Sequence, residues 1–115
     1  MTIDDLALEL RRFAAERDWE RFHTPKNLAI SLAVEAGELL EHFQWGTDEE
    51  ILDRAATPVG GAAVAEELAD VLIYLVRLAD ILGIDLLAAT SSKIAANAER
   101  YPADEVRGSS LKRAH

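Results

Sequence analysis

Two pairs of acids raise the chemical question in this chain. Glu35 and Glu38 stand three residues apart, and so do Glu67 and Asp70. At helical pitch that spacing puts both members of a pair on one side of a helix. Both pairs fall in the two most apolar stretches, and Glu35 occupies the gap in a stripe made by Leu28, Leu32, Leu39 and Phe43. Carboxylates are rarely buried unless they are paired or hold a metal. If the two stretches pack antiparallel, the four acids converge, and they cannot all ionise there without raised pKa values or a neutralising cation. Hard oxygen donors with no His or Cys among them select Mg²⁺, with Mn²⁺ as a substitute, and Mg²⁺ commonly shares its shell with substrate phosphates. The chemistry this suits is hydrolysis of a phosphoanhydride, with phosphate charge neutralised and one carboxylate left as base. Glu38, off the apolar stripe, is the expected base, with Glu35 beside it. Pairs of this spacing are common on solvated helix surfaces, so it is their repetition on two greasy helices that carries the reading. Glu41 and Glu66 extend each patch as outer or solvent groups.

Flat and basic side chains are scarce, and their placement is correspondingly informative. Trp19, Phe22 and His23 cluster before the second helix and Trp45 follows it, in a chain with only 6% aromatic residues. They are candidate walls for a flat ring, although a Trp at a turn is as often a packing anchor. Tyr74 lies one turn beyond Asp70. No second histidine sits at ligand spacing from His23, so that residue is expected to bond or stack and not to hold metal. His42 and His115 read as surface groups. Lys93, Asn97 and Arg100, at i, i+4 and i+7 with Tyr101 beyond, form either a phosphate-binding face or an ordinary amphipathic one. Lys26 and Asn27 are weaker candidates, and Lys112 and Arg113 are most simply solvated.

The elements that must position these groups are all helical. Thr2 caps a first helix that Leu6, Leu10 and Phe13 carry to about Arg17. Residues 18–23 lack a period and read as a connector. Thr24-Pro25 starts a second helix running to about Gln44, ended by Gly46. Thr47 caps a short third helix, and Thr57-Pro58-Val59-Gly60-Gly61 reads as a flexible turn. The central element runs from Val64 to Leu82, with Val64, Leu68, Val71, Leu75, Leu78 and Leu82 in one stripe and other sides apolar too, which predicts a buried helix. Gly83 stops it, Asp85 caps a last helix from Leu86 to about Arg100, and Pro102 ends that. The expectation is an all-α bundle of about four main helices, one domain over residues 1–102 with a mobile tail over 103–115.

Composition narrows the partners. The chain has 115 residues, a net charge of −9 and no cysteine. A strongly acidic chain is a poor ligand for DNA or RNA, because such binding rests on Lys and Arg neutralising phosphates. Without cysteine there is no disulfide, thiolate nucleophile or Cys-ligated zinc. No apolar run reaches the roughly 18 uncharged residues of a membrane span. The expected setting is the cytoplasm.

These residues resemble the MazG-like all-α nucleotide pyrophosphohydrolases, and most closely their small dCTP pyrophosphatase branch. The signature is E-x-x-E followed after a spacer by E-x-x-D, matched by Glu35, Glu38, Glu67 and Asp70. The flanks match over roughly residues 10–110: E-R-D-W-E-R-F-H-T-P-K-N-L, G-E-L-L-E-H-F-Q-W, E-E-L-A-D-V-L-I-Y-L-V and S-K-I-A-A-N-A-E-R-Y-P. The resemblance implies Mg²⁺-dependent cleavage of a nucleoside triphosphate, most readily dCTP or a base-modified relative, to monophosphate and pyrophosphate, with the four acids as metal ligands. It also implies a homotetramer with shared sites, a base pocket lined by Trp19 to His23 and Trp45, and Tyr74 under the sugar, where it would disfavour a ribose. Lys93, Asn97, Arg100 and Tyr101 would meet phosphates and sugar. The rivals are a broad-specificity or dUTP-directed member of the same superfamily, and a non-catalytic helical oligomerisation module with a structural metal site.

Overall fold

The five longer helices each begin where a side-chain oxygen meets the free N–H groups of a first turn. Thr2 caps α1 (Ile3–Glu16) through a reciprocal pair: its hydroxyl accepts from the Asp5 N–H at 3.1 Å, and its own N–H donates to Asp5 at 2.8 Å. Thr24 caps α2 (Pro25–Glu41), Thr47 caps α3 (Asp48–Ala55), Thr57 caps α4 (Pro58–Ile81) and Asp85 caps α5 (Leu86–Arg100). A 3-10 turn at Glu20–Phe22 joins α1 to α2, and the single turn α6 (Ala103–Val106) follows α5. This computed structural model describes residues 1–109, and no strand occurs among them. Residues Met1–Gly83 form one compact unit and the chain from Ile84 another. Of the tail expected over 103–115, Lys112, Arg113 and His115 lie outside the described residues.

Within the first unit α4 is the hub, and α1, α2 and α3 each pack on it. Two expectations need correction here. The central helix starts at Pro58, not Val64, so Gly60 and Gly61 lie in its first turn and not in a flexible loop. Thr57-Pro58 is the same start signal as Thr24-Pro25, and the glycines serve packing. A Cβ at Gly60 would stand 2.0 Å from the Arg54 carbonyl oxygen, so only glycine lets the end of α3 come this close. Likewise α2 stops at Glu41, three residues early, and the chain turns through 42–46 with Gly46 at φ +100°.

The buried side of α4 also differs from the expected stripe. Val76, Arg77 and Ala79 are its buried residues, whereas Leu68, Leu72, Leu75 and Leu82 are exposed, Leu68 to 53%. On α2 only Leu28 is fully buried, while Ile30 and Val34 face out. A helix apolar on several sides does not declare which side its own chain will cover. With so little apolar surface covered by the chain itself, wide hydrophobic faces remain on α2 and α4.

Candidate active site

Packing α2 against α4 brings the two acid pairs face to face. One carboxylate oxygen each from Glu35, Glu38 and Glu67 lie within 4.8 Å of one another. Glu35 and Glu67 are half-buried and Glu38 is exposed. The Oε2 atoms of Glu35 and Glu67 are buried without any hydrogen-bond partner. Neither lysine nor arginine answers them among the described residues. Burial pushes the Glu35 carboxyl up to about 7, and the neighbouring carboxylates of Glu38, Glu67 and Asp70 add to the rise. Such a cluster can hold a hard divalent cation, which would remove both the repulsion and the two orphaned oxygens. Asp70 is outside this closest group, yet near enough for its charge to act on Glu35.

Asp70 also lines a cavity of about 250 Å³ with Phe13, Trp19, His23, Tyr74 and Arg77, so the acids and the cavity adjoin. Its wall is built edge to face. The Trp19 ring meets Phe13 at 5.7 Å between centroids and 67°, and meets His23 at 6.4 Å and 61°. Asn27 ties the approach: its amide donates to the Phe22 carbonyl at 3.0 Å, anchoring the 3-10 turn to α2. Thus Trp19, His23, Tyr74 and Asp70, expected from the sequence, meet in one place. Phe13, which reads as a core residue of α1, joins them.

Other expected residues stand elsewhere. Phe22 is exposed under the Arg21 guanidinium, 4.8 Å from its ring centroid, and does not line that cavity. Trp45, 72% exposed, borders a separate hollow of about 340 Å³ with His42, Phe43, Ile51, Arg54 and Val64. Its carbonyl accepts from Arg54 at 2.8 Å. Within the second unit, Lys93, Asn97 and Arg100 do share one side of α5, and the Arg100 guanidinium sits 5.8 Å from the Tyr101 ring. Among the described residues Arg100 has no carboxylate partner.

Arg77 escaped the sequence reading. It is 5% exposed, the buried charge of the first unit, and its Nε donates to His23 Nδ1 at 3.2 Å. Asp80 stands 3.6 Å from it and is itself gripped by Arg11 through bonds of 2.6 and 2.5 Å. These guanidinium contacts, led by the Arg11 hydrogen bond, hold the Asp80 carboxyl below its usual range. The available signal was a lone cation in the apolar run 71–79, seven residues from Asp70 and so on the same side of the helix.

Comparison with known proteins agrees with this geometry. The MazG-like family pattern matches residues 30–113, which include all four acids. The chain is 50% identical over 111 residues to dCTP pyrophosphatase 1 of Rattus norvegicus and to that of Homo sapiens, covering 96% of this chain and 65% of each relative. It therefore spans just under two thirds of the length of these mammalian proteins. Among solved structures, a pyrophosphatase from Archaeoglobus fulgidus aligns with a TM-score of 0.76 and 42% identity, over 86% of this chain and 91% of that one. Family pattern, identity and fold agree: the chain belongs to the MazG-like family.

Proposed function

We propose that this chain hydrolyses a deoxynucleoside triphosphate, dCTP or a base-modified relative, to the monophosphate and pyrophosphate. The observation that carries the proposal is the pair of buried, partnerless oxygens on Glu35 and Glu67, clustered with Glu38 beside an aromatic cavity. The relatives named dCTP pyrophosphatase 1 supply the substrate class. An all-oxygen donor set fits Mg²⁺, with Mn²⁺ as substitute, and Glu35, Glu38, Glu67 and Asp70 are the residues that would hold it. When bound, the ion neutralises phosphate oxygens and makes water a better nucleophile.

The chain's own groups do the rest. Trp19 and His23 hold the base, and Tyr74 closes under the sugar, favouring a deoxyribose. Glu38, the exposed acid of the cluster, accepts a proton from the attacking water. The water oxygen bonds to the α-phosphorus as the bond to the bridging oxygen breaks and pyrophosphate departs. Within the second unit, Lys93, Asn97 and Arg100 on α5, with Tyr101 just beyond it, are proposed to meet phosphates and sugar; an arginine without a carboxylate partner among the described residues supports that assignment for Arg100.

We place the working form as a homo-oligomer, a tetramer by resemblance. The exposed Leu68, Leu72 and Leu75 stripe on α4 supports this, because monomers rarely leave so continuous an apolar face in water. Leu72→Glu should reduce the assembly to a species near the 12.6 kDa chain mass by sedimentation; an unchanged assembly would move the interface elsewhere. The test of function is the product. dCTP with Mg²⁺ should yield dCMP and pyrophosphate; dCDP and phosphate would mean other chemistry, and no product would leave a metal-stabilised helical module.

A further inference from the structure

The aromatic cavity contains a group that the reaction as described does not use. Arg77 is almost wholly buried in α4, yet its guanidinium reaches the cavity wall and bonds His23 at 3.2 Å. A guanidinium has only donors, so the His23 Nδ1 it meets must offer a lone pair. The imidazole is then neutral and its single proton lies on Nε2. Among the described residues nothing accepts from that Nε2–H, and His23 remains half open to solvent. The guanidinium is held in turn. Asp80 stands 3.6 Å away, and Arg11 fixes both Asp80 oxygens from α1.

We propose that Arg77 is a positioning residue: it locks His23 in the Nε2–H tautomer, so that the cavity presents a fixed donor to an acceptor on the edge of a flat heteroaromatic ring. This rests on the nucleotide-binding reading above and deepens it. Without Arg77 the imidazole would exchange between tautomers, and in part of the population its outer nitrogen would present a lone pair and repel the ring's acceptor. Burial, and secondarily the Arg77 charge, lower the His23 pKa, which keeps the ring neutral as this requires.

The test is a double-mutant cycle on the full chain, with the tautomer read by ¹⁵N NMR of labelled histidine. In the unmutated chain His23 should show a protonated Nε2 and a bare Nδ1, and Arg77→Met should replace this with an averaged signal. Asp80 keeps Arg11 in that variant, so no acid is stranded. Arg77→Met should raise KM for dCTP roughly three- to tenfold, the weight of one hydrogen bond, with kcat nearly unchanged. In a His23→Gln background, whose amide nitrogen donates from a similar place without a tautomer, the same Arg77→Met change should move KM less than twofold. An equal rise in both backgrounds would make Arg77 a mere packing residue and overturn the proposal, as would an Nδ1–H tautomer in the unmutated chain. Should the Met variant lose helicity, Arg77→Lys, which keeps charge and a donor, should retain the Nε2–H tautomer and a KM within about twofold of the unmutated chain, and an averaged tautomer with an unchanged KM in that variant would overturn the proposal. The cycle can also be read as dCMP affinity by calorimetry. Lost coupling there sinks this proposal, whereas intact coupling without dCTP turnover sinks only the pyrophosphohydrolase reading.

Discussion

Two groups of charged side chains flank α4, and they are resolved in opposite ways. Around Arg77 every charge is answered: Arg11 grips Asp80, Asp80 faces Arg77, and Arg77 donates to His23. Around Glu35 nothing is answered, because three acids crowd together and two of their oxygens are buried without a partner. A satisfied network fixes geometry. An unsatisfied cluster stores repulsion that a proton or a bound cation relieves, so it marks a place where a cation can bind. The pairing explains why Asp80 and Glu35, both half-buried acids, are displaced in opposite directions from ordinary carboxylate behaviour.

The sharpest way to break this contrast is to neutralise acids on each side in turn. Glu35→Gln and Glu67→Gln should each lower metal-dependent turnover at least about a hundredfold, since even outer partners of a metal ligand carry effects up to that size. At pH 8 without metal, Glu35→Gln should nevertheless fold more stably than the unmutated chain, because it removes a crowded charge. Turnover retained in both variants would remove the cluster from the mechanism. Asp80→Asn should do the reverse. It leaves Arg77 buried without its counter-charge, and the expected loss is about 3 kcal/mol in urea denaturation, with the acid cluster untouched. A loss below about 1 kcal/mol would mean that the network is not what holds α1 to α4.

A subtler test uses pH. Glu35 binds its proton more tightly folded than unfolded, so its contribution to stability is greatest below the ordinary value of 4.5 and is lost as pH rises to about 7. Read as the difference in Tm between the unmutated chain and Glu35→Gln, without metal, the gap should open between those limits. Mg²⁺ affinity should climb over the same range, as the proton and the cation compete. Asp80 has the opposite sign: its contribution is present above the ordinary 3.8 and is lost as pH falls below that. Asp80→Asn should therefore converge with the unmutated chain in acid, and a constant gap at all pH values would contradict the ion-pair account.

Much of the local structure was legible because its causes are local. Thr2, Thr24, Thr47 and Asp85 announce four helix starts through a side-chain oxygen placed before a free N–H, and α5 falls at the expected Leu86–Arg100. The i, i+3 acid pairs were legible for the same reason, since helical pitch alone makes their members neighbours. Gly60 misled because glycine signals both flexibility and close approach, and only the position of the Arg54 carbonyl distinguishes them. Phe22 and Trp45 lie close to Trp19 and α2 in sequence, yet in the folded chain they face other surroundings.

The amino-acid order by itself determined that the chain is helical, where most helices begin, and that four acids sit on two apolar helices. These follow from backbone hydrogen bonding and pitch, which act over a few residues. Only the tertiary structure decided which face of α4 is covered, that Glu35, Glu38 and Glu67 meet while Asp70 turns toward an aromatic cavity, and that Arg77 reaches His23 across fifty-four positions of chain. Burial and charge pairing depend on what arrives from elsewhere in the fold, and a helix apolar on several sides leaves that choice to its neighbours.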